Sequence, residues 1–188
     1  MRKNFGAKSW LYPQPVFIIA TYAPDGTPDA MNAAWGGISG ANQLSIYLSA
    51  NHKTVKNLLA RGAFTVSMAT ADHVAQCDYV GIESANNVPN KLQKAGFTVT
   101  PSDLVAAPII NELPMALECK LLSYDAQTCL AVGEIINVSV DDSALDANGN
   151  IDLAKLQPIT FDAAGKAYYT LGQKVADAYR VGIPLKKQ

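Results

Sequence analysis

Charged residues are scarce in this sequence, and their signs nearly balance. Lys, Arg, Asp and Glu make up 16% of the 188 residues, and the formal net charge is -1. A protein that binds nucleic acid or an anionic membrane surface through its overall field carries a basic excess. We therefore expect neither a nucleic-acid partner nor a membrane partner. An anionic ligand would have to be held by a local cluster of donors.

Cysteine is rare as well. The sequence contains only Cys77, Cys119 and Cys129, an odd number with no CxxC pair, which argues against a disulfide framework and against a four-ligand zinc site. The apolar run Val16–Ala20 near the start is too short for a signal-peptide core or a membrane span. We expect reduced, buried thiols and a cytoplasmic protein.

Several motifs of known chemistry are missing. The sequence contains no Walker A loop, no GxSxG, no HExxH and no Rossmann GxGxxG. Residues 146–150 resemble the start of a calcium loop, but Ile151 and Gln157 stand where that loop needs Gly and Glu. His73 and Cys77 alone are too few to ligate a metal. The sequence therefore predicts no metal site and no catalytic acid, base or nucleophile.

What the sequence does contain is short apolar runs separated by turn signals. Hydrophobic residues make up 49% of the chain, and the length suits a single domain over residues 1–188. Strand patterns outnumber helical ones, and there is no βαβ alternation. We predict a mainly β fold with short helices (α+β), built as an antiparallel barrel. The predicted strands cover 16–21, a run ending at Trp35, 44–48, 63–69, 115–122, 130–140 and a run ending at Phe161. The predicted helices follow His52 and cover 71–80, 90–95 and about 172–179.

One polar segment, Ser49–Thr54, joins a predicted strand to a predicted helix. Free backbone N–H groups at a helix start attract anions, and this segment adds hydroxyl, amide, imidazole and ammonium donors. A phosphate needs such convergent donors. The alternative interpretation is an ordinary helix N-cap with solvated neighbours.

A second segment, Asp29–Gly37, surrounds Trp35 with small residues at the end of a strand. Small residues let a flat ring lie against the backbone, and Trp35 could form an apolar wall. Asn32 or Asp29 could then meet the polar edges of that ring. The alternative is a core tryptophan beside a glycine-rich turn.

The order of these segments resembles the flavoredoxin branch of the flavin reductase-like, FMN-binding split-barrel family. The similarity runs from about Phe5 to about Gly182, and no single motif decides it. The segments that carry it are Pro15–Phe17, Asp25-Gly26, Met31–Gly37, His52–Thr54, Gly62–Ser67, Gly81–Ser84, Asn90–Leu92, Leu117–Lys120, Gly133–Ile135, Pro158–Phe161 and Tyr168–Gly172.

This resemblance implies a split β-barrel homodimer with one FMN per subunit near the dimer interface. It implies that Trp35, Asn32, Ala33 and Ala34 border the isoalloxazine ring. The remaining implied contacts, mostly to the phosphate and the ribityl chain, are Ser49, Asn51, His52, Lys53, Thr54, Ser84, Lys91, Thr128 and Phe161. Lys53 and Lys91 are expected to anchor the phosphate, and the Thr54 hydroxyl to orient it.

The sequence departs from the family pattern at three places. Asp29 stands where an Asn is usual, which puts a carboxylate near a polar ring edge. Asn90 replaces an Asp before Lys91. The Gly-Asp-His signature of NADH-dependent members is replaced by Gly133-Glu134-Ile135, and the missing His favours a flavin kept bound as an electron carrier.

Three functions are compatible with the sequence. The first is an oxidoreductase that uses NAD(P)H to reduce FMN or a small acceptor. The second is an FMN electron carrier that meets protein redox partners and turns over little with NAD(P)H alone. The third is a split-barrel binding protein that has lost its flavin. If the chain is an enzyme, we expect an FMN-dependent oxidoreductase of the flavin reductase type, in which the redox chemistry belongs to the cofactor.

Overall fold

A computed structural model describes residues 1–187. Its centre is an antiparallel sheet of seven strands in the order β2-β1-β5-β8-β9-β4-β3. These strands are β1 (Phe17–Tyr22), β2 (Pro28–Ala33), β3 (Gly36–Gly40), β4 (Gln43–Tyr47), β5 (Ala63–Met68), β8 (Met115–Asp125) and β9 (Leu130–Val140). Two small hairpins complete the strands: β6 (Val99–Pro101) with β7 (Pro108–Ile110), and β10 (Ile159–Asp162) with β11 (Ala167–Thr170).

The sheet curls because its two edge strands are neighbours in the chain. Strand β2 lies at one edge and β3 at the other, and only Ala34 and Trp35 join them. A flat seven-stranded sheet would separate its edges by about 29 Å, whereas this link reaches at most about 11 Å. The link therefore forces the sheet into a barrel, which stays split at a seam between β2 and β3.

Both faces of β1 and β5 are buried, which explains why β1 is a continuous apolar run. Phe17 and Ile19 point into the barrel and pack with Phe64, Val66 and other inward side chains. The alternate residues of β1, Ile18 and Ala20, point outward and lie under the helices that follow β5. Burial on both sides removes the polar alternation that an exposed strand shows.

Four helices are short, and each follows or precedes a strand of the barrel. They are α1 (Lys53–Arg61), α2 (Val74–Ile82), α3 (Lys91–Ala95) and α4 (Leu153–Leu156). Helix α1 lies between β4 and β5 and ends at Gly62, whose left-handed φ of 65° lets its N–H bond to the carbonyl of Leu58 at 2.8 Å. Helices α2 and α3 cover the outer face of β1 and β2.

The predicted fold class and antiparallel split barrel are confirmed, but four strands were missed: β3 in the central sheet, and β6, β7 and β11 in the small hairpins. Strand β3 (Gly36–Gly40) pairs with β4. It has two glycines at its start and a third at its end, and because glycine is uncommon in strands the sequence pattern did not indicate it. Cys77 and Cys119 are buried as expected, and burial raises their pKa values to about 11 and about 12. Cys129 is partly exposed in the β8–β9 turn.

The helix predicted for about 172–179 is wrong. Residues 171–177 have no regular structure, and a short 3-10 helix forms later, at Ile183–Lys187. The expected apolar stripe has nothing to pack against in this chain, since Val175 and Tyr179 are each 99% exposed. Short helices gain most of their stability from such packing. Within residues 1–187, no helix is long and apolar enough to cross a membrane.

We expect Gly133→Ala to lower the free energy of unfolding by about 1–3 kcal/mol, the usual cost of overpacking. A Cβ atom at this position in β9 would lie 2.4 Å from Cζ of Phe64 inside the barrel. Gly37→Ala in β3 is the matched control, because its Cβ would meet nothing within 4 Å. Urea unfolding of the two variants checks the packing, and equal midpoints would contradict it.

Candidate functional site at the barrel seam

A cleft opens where the chain crosses the seam. Its wide end has a volume of about 430 Å³, and a narrower polar end of about 220 Å³ adjoins it. We call the two together the seam cleft. Five residues line both ends, namely Met31, Asn32, His52, Gly81 and Ile82.

The wide end has apolar and aromatic walls. Trp35 and Tyr47 stand at the rim with about half of their surface exposed. Phe161 and Tyr168 form an aromatic pair with ring centroids 5.8 Å apart. The remaining residues that line only this end are Ala33, Ala34, Ser49 and Asp78. Aromatic rings around a cavity of this size suit a flat, largely apolar ligand.

One buried side chain, Gln14, holds the seam link, which is Ala34 and Trp35 between β2 and β3, against this wall. Its Nε2 donates to the carbonyl of Ala34 at 2.9 Å, and its own backbone carbonyl accepts from the N–H of Phe161 at 2.8 Å. The link and the strand that carries Phe161 are thereby held together. Burial, followed by the hydrogen bond to Asp78, raises the pKa of Tyr168 to about 12, so this phenol stays neutral and donates to the Asp78 carboxylate at 2.7 Å.

The floor of the cleft is a close crossing of α2 over β2. A Cβ atom at Gly81 would lie 2.7 Å from Cβ of Asn32, so only glycine permits this approach. Asn32 Nδ2 also donates to the carbonyl of Cys77 at 3.1 Å. The helix and the strand are therefore locked at the point where the two ends of the cleft meet.

The polar end is built around the start of α1. His52 occupies the N-cap position, but no side chain caps the helix and no acidic residue lies in its first turn. Free N–H groups at the start of a helix attract anions, and Lys53 adds a positive charge on the same wall. The polar end therefore supplies the hydrogen-bond donors and the positive charge that a phosphate needs.

His52 contributes a neutral ring to this end. Burial, with the nearby positive charge of Lys91 as a second cause, lowers the pKa of His52. Its Nδ1 atom is buried and has no hydrogen-bond partner in the described part of the chain. An unpaired polar atom on the wall of a cleft is one that a ligand can satisfy.

Lys91 lines the polar end as predicted, but its ammonium group is engaged inside the protein. It is 3% exposed, and Nζ donates to the carbonyls of Val80 and Glu83 at 3.2 and 3.1 Å. The same atom lies 3.3 Å from Oδ1 of Asp29. With Nζ engaged by three protein acceptors, Lys91 holds the end of α2 and the loop after it. We therefore revise its expected role from phosphate anchor to positioning residue.

Asp29 and Thr54 belong to the same buried network. Thr54 Oγ1 donates to Oδ2 of Asp29 at 2.7 Å, and both side chains are buried. The Thr54 hydroxyl hydrogen is thus used inside the protein, which leaves its oxygen as an acceptor only. Asp29 does not line the seam cleft, so its carboxylate lies beneath the site and not beside the predicted ring edge.

Most of the predicted site residues come together at the cleft. Those that line it are Asn32, Ala33, Ala34, Trp35, Ser49, His52, Lys53, Thr54, Ser84, Lys91 and Phe161. Asp29, Asn51 and Thr128 do not. The carbonyl of Asn51 accepts from Asn86 Nδ2 at 3.3 Å, and Thr128 lies exposed in the β8–β9 turn.

Sequence reasoning missed nine lining residues, namely Met31, Tyr47, Asp78, Val80, Gly81, Ile82, Glu83, Ala85 and Tyr168. Gly81 and Tyr168 were in segments that carried the resemblance, which was a usable signal. The contact between Asp78 and Tyr168 joins residues 90 positions apart, and no local pattern indicates it. In the described residues, no group of three His, Cys, Asp or Glu side chains is arranged to hold a metal.

Comparison with known proteins agrees with this geometry. The sequence profile of the flavin reductase like domain matches residues 9–162. The flavoredoxin of Desulfovibrio vulgaris (Miyazaki F) is 36% identical, with a TM-score of 0.92 over 97% of this chain and 100% of that one.

Two more distant structures share the fold. The flavoredoxin of Methanosarcina acetivorans is 24% identical, with a TM-score of 0.88 over 98% of this chain and 99% of that one. An FMN-binding domain of flavin reductase-like enzymes from Shewanella baltica OS155 is 21% identical, with a TM-score of 0.78 over 87% and 89%.

We expect Lys91→Met to destabilise the FMN-free protein by about 3–5 kcal/mol, because it leaves the Asp29 carboxylate buried without its cation. The double variant Asp29→Asn/Lys91→Met removes both charges and should recover part of that loss. Chemical denaturation measures both. A Lys91→Met protein as stable as the wild type would contradict the positioning role.

Proposed function

Because this chain belongs to the flavin reductase-like domain family, we propose that it binds FMN in the seam cleft and takes part in flavin-based electron transfer. The proposal rests on one observation, that an apolar part and a polar part of the same cleft are continuous. An aromatic-walled cavity at the seam runs directly into a polar end at an uncapped helix start. FMN has the same two parts, a flat ring system and a phosphate.

The residues present fit this cofactor. The uncapped N–H groups of α1, the buried Nδ1 of His52 and the Lys53 ammonium supply donors and charge for the phosphate. Trp35 and Phe161 supply apolar surface for the ring. Bound FMN would accept a hydride or electrons and pass them on, and that chemistry is the cofactor's own. The chain's part is to bind the ring, orient it and limit its contact with water.

Two polar side chains of the wide end, Tyr168 and Asn32, stay uncharged near neutral pH. Tyr168 stays protonated, because burial and its bond to Asp78 raise its pKa to about 12. Asn32 keeps its amide N–H on the carbonyl of Cys77. Tyr168 and Asn32 thus present fixed dipoles to the wide end, and the proposal gives neither of them a part in proton transfer.

Within this proposal the chain acts as a single domain, as a homodimer and in the cytoplasm. An electron carrier that serves protein partners is favoured over an NAD(P)H-dependent reductase. The segment Gly133–Ile135 lacks the histidine associated with NADH use, and none of its residues lines the cleft of the same chain. A flavin-free binding protein is the alternative that a colourless preparation would favour.

We expect the purified protein to be yellow, or to remain yellow after added FMN is separated from it by gel filtration, and to bind FMN more tightly than riboflavin, which lacks the phosphate. Lys53→Met should weaken FMN binding by about 1–3 kcal/mol, the usual scale for hydrogen bonds to charged groups. Isothermal titration measures the dissociation constants.

Lys56→Met is the matched control for Lys53→Met. Lys56 lies one turn along the same helix, is exposed and does not line the cleft. Its loss should leave FMN affinity nearly unchanged. A protein that takes up neither FMN nor riboflavin would overturn the proposal, and equal affinities for the two would overturn the assignment of the polar end.

We expect the bound flavin to be reduced at once by dithionite but only slowly by NADH or NADPH under anaerobic conditions. The reason is the absence of the histidine that accompanies pyridine nucleotide use. Stopped-flow absorbance at the flavin band measures both rates. Rapid bleaching by either nucleotide would show a reductase and refute the carrier function.

A further inference from the structure

The C-terminal segment after β11 is exposed and apolar at the same time. Every residue from 171 to 186 is exposed, although the segment includes Val175 and Tyr179 at 99%, Leu185 at 71% and Val181 at 68%. A soluble protein that leaves so many large apolar side chains in water usually buries them against a partner. We call residues 171–187 the C-terminal arm.

The arm is held only by local contacts. In the described residues its hydrogen bonds join its own backbone groups, as in Arg180 N–H to the carbonyl of Asp177 and Leu185 N–H to the carbonyl of Gly182. Its ion pair, Lys174 with Asp177, is also internal and exposed. Nothing in these contacts fixes the arm to the barrel.

A wide space separates the root of the arm from the barrel. Residues 172–176 form one wall, and Asp146 and Ile151–Ala154 form the other, around a volume of about 900 Å³. That is the size of a small-molecule site, far more than one missing side chain would leave. The space therefore has room for several residues of another chain.

An apolar groove of about 300 Å³ continues this space. Leu153 and Leu171 line both, and Pro13, Met68, Met115 and Leu156 are among the other groove residues. The barrel thus has an unfilled apolar groove, and the arm beside it has apolar side chains that are exposed to water.

The arm and the surface beside it also have opposite net charges. The arm carries four basic residues and one acidic residue, a net charge of +3, whereas residues 141–152 carry four Asp and no Lys or Arg, a net charge of -4. Two of those carboxylates, Asp146 and Asp152, border the wide space. The rest of the chain therefore provides an acidic, apolar acceptor for a basic, apolar arm.

We propose that the C-terminal arm of one copy docks in the space and groove beside α4 of a second copy, and that the exchange is reciprocal. A two-fold dimer places the same arm and the same acceptor on each side, so one contact is made twice. The 17 residues of the arm and the 15 other residues that line the space and groove amount to about 32 per protomer, enough for a stable interface. This inference refines the homodimer proposed above by naming its surface.

The first test is the sedimentation of the full-length protein and of Val175→Asp/Tyr179→Asp. Because both side chains are almost fully exposed, the double variant should fold normally. We expect the wild type to be a dimer and the variant to dissociate at least 100-fold more readily. Leu104→Asp is the control, since Leu104 is an exposed apolar residue outside both arm and acceptor, and this variant should remain a dimer.

The outcomes separate this inference from the proposed function. A Val175→Asp/Tyr179→Asp protein that dimerises like the wild type would overturn the arm exchange and leave the homodimer standing. A monomeric wild type would overturn both. FMN uptake, read from the flavin spectrum, tests the seam cleft independently of either result.

The second test locates the contact. A photoreactive benzoyl group placed at position 179 is irradiated in a mixture of ¹⁵N-labelled and unlabelled protein. We expect cross-linked peptides that join one labelled and one unlabelled copy and map to the acceptor, which is residues 141–160 and the groove positions at Pro13, Met68 and Met115. Cross-links within one copy, or to a segment of the second copy outside this acceptor, would overturn the proposal.

Discussion

The two-residue link between β2 and β3 is the constraint on which the rest of this structure depends. Ala34 and Trp35 tie together the two edges of a seven-stranded sheet, so the sheet cannot lie flat and must close into a barrel with a seam. The cleft follows from that geometry, because a link this short cannot fill the gap that it crosses. Trp35 stands on the link itself, so closing the barrel also places an aromatic ring at the rim of the site.

The polar groups around the cleft divide into two kinds. Asp29, Thr54 and Lys91 satisfy one another and the carbonyls at the end of α2, and they form a rigid wall. The start of α1, Lys53 and the Nδ1 atom of His52 are left without such partners in the described part of the chain. A ligand can bind tightly only to groups whose hydrogen-bonding capacity is not already used, so the second kind forms the site and the first kind supports it.

Local patterns in the sequence were enough to predict most strands, α1 and the two segments that meet at the cleft. They failed where the deciding interaction lies elsewhere. Lys91 looked like a phosphate anchor because nothing local shows that its ammonium group meets Asp29, 62 positions earlier in the chain. The helix expected near Tyr179 failed because an amphipathic pattern becomes a helix only when its apolar face is covered. Tyr168 and Asp78 meet only after β11 folds back against α2, which a single sequence does not reveal.

The most direct test of the central claim uses the tryptophan on the seam link. The chain contains two Trp residues, so Trp10→Phe leaves Trp35 as the only indole. If FMN binds in the seam cleft, titration should quench the Trp35 emission almost completely and saturate at one FMN per chain, because an isoalloxazine ring in contact with an indole accepts its excitation energy. Emission that stays unchanged while FMN binds would show that the flavin lies elsewhere and that the seam cleft is not its site.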